Sequence, residues 1–389
     1  MHQLPPGPPP RVLHLTQPVE GGVARVVTDL TRAQLAAGLR VTVACPESGL
    51  ADRLRDAGAD VTPWRATRSP GPSLAGEVRR LSRLVAEVRP DLVHAHSAKA
   101  GMAGRLAVRG RIPTVFQPHA WSFEAVGGVT AGLARAWERY GARWAHRTVC
   151  VSEAERATGL RAGVGGRWAV IPNGIDPERF RPADAGAVRA ALPADIGPRV
   201  PLVVCVGRLC RQKGQDVLLA AWDAVRARVP GARLVLVGDG PDRDRLMPSA
   251  SVRLTGAVSD VVPWYQAADL VVLPSRWEGM ALAPLEAMAC GRPVVVTDVD
   301  GARESLPPAL AARCLVPAED PAALAAAVAG LLADPPLRAS LGDRARRHVL
   351  SAHDARHTAE AVADLYRGLL GSGPGEDAGS TEYRESIHS

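Results

Sequence analysis

The chain has 389 residues, a formal net charge of +7 and 47% hydrophobic residues. At roughly 150 residues per domain that length suggests two or three domains, each with enough apolar material for a core. No apolar run nears the ~18 residues of a membrane span, the dispersed cysteines (Cys45, Cys150, Cys205, Cys210, Cys290, Cys314) form no CxxC pair, and arginines scattered among acids argue against a nucleic-acid stripe.

The start, "MHQLPPGPPPR", lacks a basic stretch followed by an apolar one, so residues 1–10 read as a disordered leader rather than a secretory signal. Short β-branched runs then alternate with Ala/Leu/Arg stretches of helical period. Strands are expected at 11–17, 41–46, 91–97, 113–119 and 147–152, with helices near 23–37, 73–88, 99–109 and 130–143. Residues 176–199 are rich in Pro, Gly and charge and keep no strand rhythm, so they read as a linker with one short helix. The rhythm restarts with strands at 201–207, 232–240, 252–258, 269–275 and 292–299, and helices near 214–228, 259–267 and 283–289. After about 319 only helical patterns remain. This alternation means βαβ units and parallel sheets. The expected domains are Rossmann-like, at 11–175 and 200–350, and they face each other across a cleft at the carboxyl ends of their strands. A C-terminal helix over 351–370 is free to cross back to the first domain, and the polar, Gly-rich stretch 371–389 reads as a disordered tail.

Several stretches could carry chemistry. Gly21 and Gly22 follow the first strand and precede a helix, where backbone N–H groups can approach a phosphate; a simple tight turn fits equally well. Arg208 and Lys213 flank the loop after the first strand of the second half. Two cations beside a helix N-terminus can clamp a diphosphate. Lys99 and Lys213 are the only lysines among 47 basic residues. A chain that writes arginine elsewhere keeps a compact ammonium here, which favours a functional Lys213. Lys99 could also face the cleft. His94 and His96 are expected to point to opposite faces of their strand, so a shared metal is not expected. His119, at the end of the next strand beside Trp121, is a candidate substrate contact or a packed histidine. In "SRWEGMALAPLEAMACGRP", Glu278 lies in a loop after a buried strand. Pro284 suits the start of a helix, Gly291 ends it, and Glu286 is expected in its first turn. Gly279 lets the loop bend, so that the amides of the following residues gather between the two glutamates.

Taken in order, "GGVARVV", "VCVSEAER", "VIPNGID", "VGRLCRQKGQDVLL", "LVGDGP" and "SRWEGMALAPLEAMACGRPVVVTDVDGARE" resemble the retaining, GT-B-fold glycosyltransferases of family 4, also called group 1. The resemblance spans about residues 11 to 350. "HAHSAKAGMAGRLA" and "PHAWSF" are most similar to members that build bacterial exopolysaccharide or lipid-linked glycans. It implies a nucleotide-sugar donor held by the second domain and a glycan or lipid-linked acceptor held mostly by the first. It implies diphosphate binding by Arg208 and Lys213, ribose binding by Glu286, and donor-sugar contacts by Glu278 and His119. It also implies backbone contacts from Gly279, Met280, Ala281 and Leu282, and close approach of Gly22 to the diphosphate. Where family members often have Gly-Leu or Gly-Phe, this chain has "GMALAP". No metal and no other cofactor is expected, since cations and a helix N-terminus supply the charge. A cytoplasmic protein, with contact to the inner membrane surface, is the expected setting. The competing readings are a nucleotide-sugar epimerase of the same architecture and a non-catalytic nucleotide-sugar-binding protein.

Overall fold

In the computed structural model, which describes residues 8–193, 196–197 and 199–371, the β-branched runs form two parallel sheets. The leader and tail expected over 1–10 and 371–389 lie almost wholly outside the described residues. The first sheet is built from β1 (Arg11–Thr16), β2 (Arg40–Cys45), β3 (Asp60–Pro63), β4 (Leu92–His96), β5 (Thr114–Gln117), β6 (Arg147–Cys150) and β7 (Trp168–Val170). Its order is β3-β2-β1-β4-β5-β6-β7. The second contains β8 (Leu202–Val206), β9 (Arg233–Val237), β10 (Val252–Gly256), β11 (Leu270–Leu273), β12 (Val294–Thr297) and β13 (Leu315–Val316), in the order β10-β9-β8-β11-β12-β13. The central strands, such as LVVCV and LVVL, are buried throughout, as parallel strands covered on both faces must be.

Helices connect the strands. The first half holds α1 (Gly21–Ala36), α2 (Gly49–Asp56), α3 (Leu74–Val88), α4 (Ser97–Val108), α5 (Gly128–Gly141) and α6 (Glu153–Arg161). The short α7 (Ala185–Ala190) lies in the stretch expected as a linker. Then come α8 (Gln215–Arg228), α9 (Val262–Ala267), α10 (Leu282–Ala289), α11 (Pro308–Cys314), α12 (Pro321–Leu332), α13 (Pro335–Ala352) and α14 (Ala355–Gly371). No single described helix is long and apolar enough to cross a membrane.

In each sheet the chain reverses direction of progress beside its first strand, between β1 and β4 and between β8 and β11. Crevices for ligands open at the carboxyl ends of the strands at such points. Here the two carboxyl ends meet. Ser152 Oγ donates to Gly279 O at 3.1 Å, Asn173 Nδ2 donates to Met280 O at 2.8 Å, and the Glu304 carboxylate accepts from the backbone N–H groups of Glu153 and Ala154 at 2.8 Å. The chain crosses back after α13: Ile175 N donates to His353 O at 2.8 Å, and α14 lays Tyr366 against Gln34 of α1 and His94 of β4.

Candidate active site

The loop after β8 runs through Arg208 to a single 3₁₀ turn, Arg211–Lys213, and then into α8. Gly214 joins the two with φ +64, and a Cβ there would lie 2.0 Å from Pro274 O. Only glycine fits, and its fit locks the turn that carries Lys213 against the end of β11. The Lys213 stem lies along Gly207, and its ammonium reaches Glu278 Oε1 at 2.5 Å. Ser275 Oγ donates to the same oxygen at 2.8 Å. Lys213 and Glu278, 65 positions apart, are therefore one ion pair at the mouth of the crevice. The half-buried Arg208 side chain has no protein partner among the described residues.

Beyond Glu278 the chain bends at Gly279 and enters α10 at Leu282. The backbone N–H groups of Gly279, Met280 and Ala281 find no protein acceptor among the described residues, so the bend gathers free donors beside a helix N-terminus. Glu286 is the fifth residue of α10, so it lies in the second turn and not the first, as expected from Pro284. The helix starts two residues before that proline, which sits at its third position. Glu286 is buried, its Oε2 accepts from the Tyr265 hydroxyl at 2.8 Å, and Oε1 has no protein donor among the described residues. Burial pushes its carboxyl above the ordinary value, against the pull of Arg25 from α1 across the crevice. Gly22, also on α1, faces the tip of Leu282, which a Cβ at that glycine would approach to 3.8 Å, whereas Gly21 meets nothing.

His119 does not end a strand. β5 stops at Gln117, and His119 and Ala120 follow with φ +55 and +94. Two successive non-glycine residues in this region are costly, and something must hold them. That anchor is Glu155 of α6, which sequence reasoning missed. Its carboxylate accepts from Ala120 N at 2.6 Å and Val151 N at 2.7 Å. Burial pushes this carboxyl up to about 7, against those two backbone N–H groups. A Cβ at Gly279 would lie 2.8 Å from Glu155 Oε1 and 3.1 Å from Ala120 N, so the His119 turn and the Glu278–Gly279 bend abut. The available signal was Ser152-x-x-Glu155, a capping-box spacing, and Ser152 Oγ does accept from Glu155 N at 3.0 Å.

Two further expectations for the first half are corrected. Lys99 does not face the crevice: it is buried and paired with Glu77 at 2.7 Å. His94 and His96 do not point apart, because residues two apart in a strand share a face. Their rings stack with centroids 4.0 Å apart, and His14 of β1 joins them. One nitrogen from each of these three buried histidines lies within 4.8 Å of the others, a grouping that could hold a cation by proximity.

Comparison with known proteins agrees with this geometry. The family model described as "Glycosyltransferase Family 4" matches residues 20–179, and the one described as "Glycosyl transferases group 1" matches residues 200–334. D-inositol 3-phosphate glycosyltransferase 2 of Catenulispora acidiphila is 32% identical over 322 residues, covering 76% of this chain and 73% of that protein. The chain belongs to the group 1, family 4 glycosyltransferases. A D-inositol 3-phosphate glycosyltransferase of Segniliparus rotundus is 39% identical over 221 residues, or 52% of this chain and 46% of that protein. HepE of Anabaena, solved in complex with UDP-glucose, superposes with a TM-score of 0.79 at 23% identity, over 92% of this chain and 100% of that one. The two-sheet architecture of this glycosyltransferase is thus the GT-B fold.

Proposed function

We propose that this glycosyltransferase moves a hexosyl group, with retention, from a nucleotide-diphosphate sugar to a glycan or lipid-linked acceptor. The observation that carries this reading is the grouping of Arg208, the Lys213–Glu278 pair, the free amides of residues 279–281 and the buried Glu286 around one crevice. In this reading Arg208, Lys213 and those amides hold the diphosphate. As the sugar–phosphate bond breaks, negative charge grows on the leaving group, and these preorganised donors stabilise it. The free Oε1 of Glu286 accepts from the ribose hydroxyls. Glu278 and His119, carried on the bend and the turn that abut at Gly279, contact the donor sugar, and Gly22 lets α1 approach the phosphates. These cations and amides do the work of charge neutralisation, so the reading requires no metal.

The acceptor side has its own support. Helix α5 exposes Val129 and Leu133, which are 82% and 68% exposed, and Tyr140, beside the exposed Arg135, Arg139 and Arg143. An apolar stripe rimmed by arginines suits the surface of an anionic membrane, where a lipid-linked acceptor is presented at the cytoplasmic face.

A thermal-shift and turnover screen against UDP-, GDP- and ADP-sugars, with and without EDTA, tests the reading. One nucleotide class should stabilise the protein, and nucleoside diphosphate should appear only with acceptor. Conversion of the donor to an epimer without acceptor, or an inverted anomeric centre in the product, would overturn it.

A further inference from the structure

Three histidines, His14, His96 and His119, are joined in a row through opposite ring nitrogens. His14 Nε2 faces Gln34 Oε1 at 2.8 Å, His14 Nδ1 faces His96 Nε2 at 2.9 Å, and His96 Nδ1 faces His119 Nε2 at 3.1 Å. Burial keeps all of them neutral: it lowers His14 to about 4 and His119 to about 3, and holds His96 well below its ordinary value. A neutral imidazole carries one N–H and one lone pair. A chain joined through opposite ring nitrogens therefore has only two states, with every N–H pointing one way or every N–H pointing the other.

The far end selects between them. An amide oxygen only accepts, so Gln34 Oε1 places the His14 proton on Nε2. His96 must then donate from Nε2 to His14 Nδ1, and His119 from Nε2 to His96 Nδ1. His119 Nδ1 is left as a lone pair, with no protein partner among the described residues. The orientation of Gln34 is set in turn by α14. Its amide nitrogen faces the Tyr366 hydroxyl at 3.5 Å, and that hydroxyl lies 2.6 Å from His94 Nδ1. Tyr366 accepts from Gln34 and donates to His94, which puts the His94 proton on Nε2. The buried His94 Nε2 and Gln117 Oε1 have no hydrogen-bond partner among the described residues.

We propose that Gln34 and Tyr366 are positioning residues. Through the histidine chain they set the tautomer of His119, so that its Nδ1 meets a donor-sugar hydroxyl as an acceptor. The sugar contact rests on the function proposed above; the direction of the chain does not. A cation held by His14, His94 and His96 is the competing reading. Hydrogen bonds already occupy both nitrogens of His14 and of His96, and the rings stack within 30–35° or less of parallel, which favours the chain over a convergent ligand set.

The test is long-range ¹H–¹⁵N NMR of the full chain, labelled at histidine, near neutral pH. His14, His96 and His119 should all be neutral Nε2–H tautomers. Gln34→Met removes the acceptor and should turn His119 into a mixture of tautomers, raising the donor KM by about 2- to 10-fold with less change in kcat. Gln34→Glu, which keeps an acceptor facing His14, should restore the Nε2–H form. Should Gln34→Met fail to fold, Tyr366→Phe frees the Gln34 amide to rotate and should give the same mixture. His119 as Nδ1–H in the unaltered protein would overturn the proposal. So would an unchanged tautomer in the folded variants, or a stoichiometric metal on the three histidines. The expected tautomers without any nucleotide-sugar binding would remove the sugar contact and leave the direction of the chain standing.

Discussion

The two lysines of this chain make the same arrangement in two places. Each ammonium meets a glutamate, Lys99 with Glu77 at 2.7 Å and Lys213 with Glu278 at 2.5 Å. In each, the glutamate also accepts from a serine hydroxyl at 2.8 Å: Ser73 bonds Oε1 of Glu77, the oxygen that Lys99 does not take, and Ser275 bonds the same Oε1 of Glu278 as Lys213. What differs is access. Lys99 and Glu77 are 2% and 1% exposed, closed over by Thr67 and Ser69, whereas Lys213 and Glu278 are 19% and 10% exposed and open onto a crevice with a free arginine and free amides. A scarce lysine among arginines is therefore not by itself a sign of ligand binding. A compact ammonium is also what a tight internal socket demands. The functional sign is an ion pair that a third, anionic group can reach.

The largest effect that would sharpen this contrast is expected at the closed pair. Lys99→Ala leaves the Glu77 carboxylate buried and uncompensated, so stability should fall by about 3–5 kcal/mol, while turnover per folded molecule stays normal. Urea unfolding alongside active-site-normalised kinetics reads both quantities. Unchanged stability with lost activity would mean that Lys99 acts on substrate and that the contrast is wrong.

Lys213→Ala should do the opposite. Glu278 is 10% exposed and keeps its bond from Ser275, so the melting temperature should fall less than at the closed pair. Transition-state stabilisation should fall by about 2–4 kcal/mol, as for other preorganised groups beside developing charge, so kcat should drop roughly 10²- to 10³-fold. Near-normal turnover of the folded variant would remove Lys213 from the chemistry.

The parts of this contrast that were legible in the sequence are those written locally. Central strands announced themselves as unbroken apolar runs because both of their faces are covered. The sheet-edge strands β3 (DVTP), β7 (WAV) and β13 (LV) are too short and too mixed to show a period, and α2, α6 and α11 went unread beside them. Glu278, Gly279 and Glu286 could be placed along a loop and a helix because the signals lie within a few residues of each other. The pairings were not legible. Lys213 and Glu278 are 65 positions apart, His14 and His96 82, and His94 and Tyr366 272, and nothing in local propensity encodes which carboxylate closes on which ammonium. The strand period did place His94 and His96 on one face, so their stacking was readable, and the expectation that they diverge misapplied that period. Glu155 was hidden for a different reason. Its spacing from Ser152 advertised a helix cap, while its carboxylate instead holds the turn at His119 and Ala120.

The smallest effects break the comparison most cleanly, because the serines can be altered without touching either charge. Ser73→Ala removes one of three donors to Glu77 Oε1, the others being the backbone N–H and the hydroxyl of Thr67. Ser73 is itself exposed, so water can take its place, and the stability loss should stay below about 1 kcal/mol with kinetics unchanged. Ser275→Ala removes a bond that is itself buried, to a charged acceptor, so a stability loss of about 1.5–3 kcal/mol should follow. Glu278 keeps Lys213 as its main restraint and gains freedom to leave the position in which it meets the sugar. The expected signature is therefore that stability loss together with a modest fall in kcat/KM, of about 2- to 10-fold. A loss of stability at Ser275→Ala with unchanged turnover would show that the open pair is held for the fold alone. Arg208 and the amides of residues 279–281 would then have to carry the diphosphate without it.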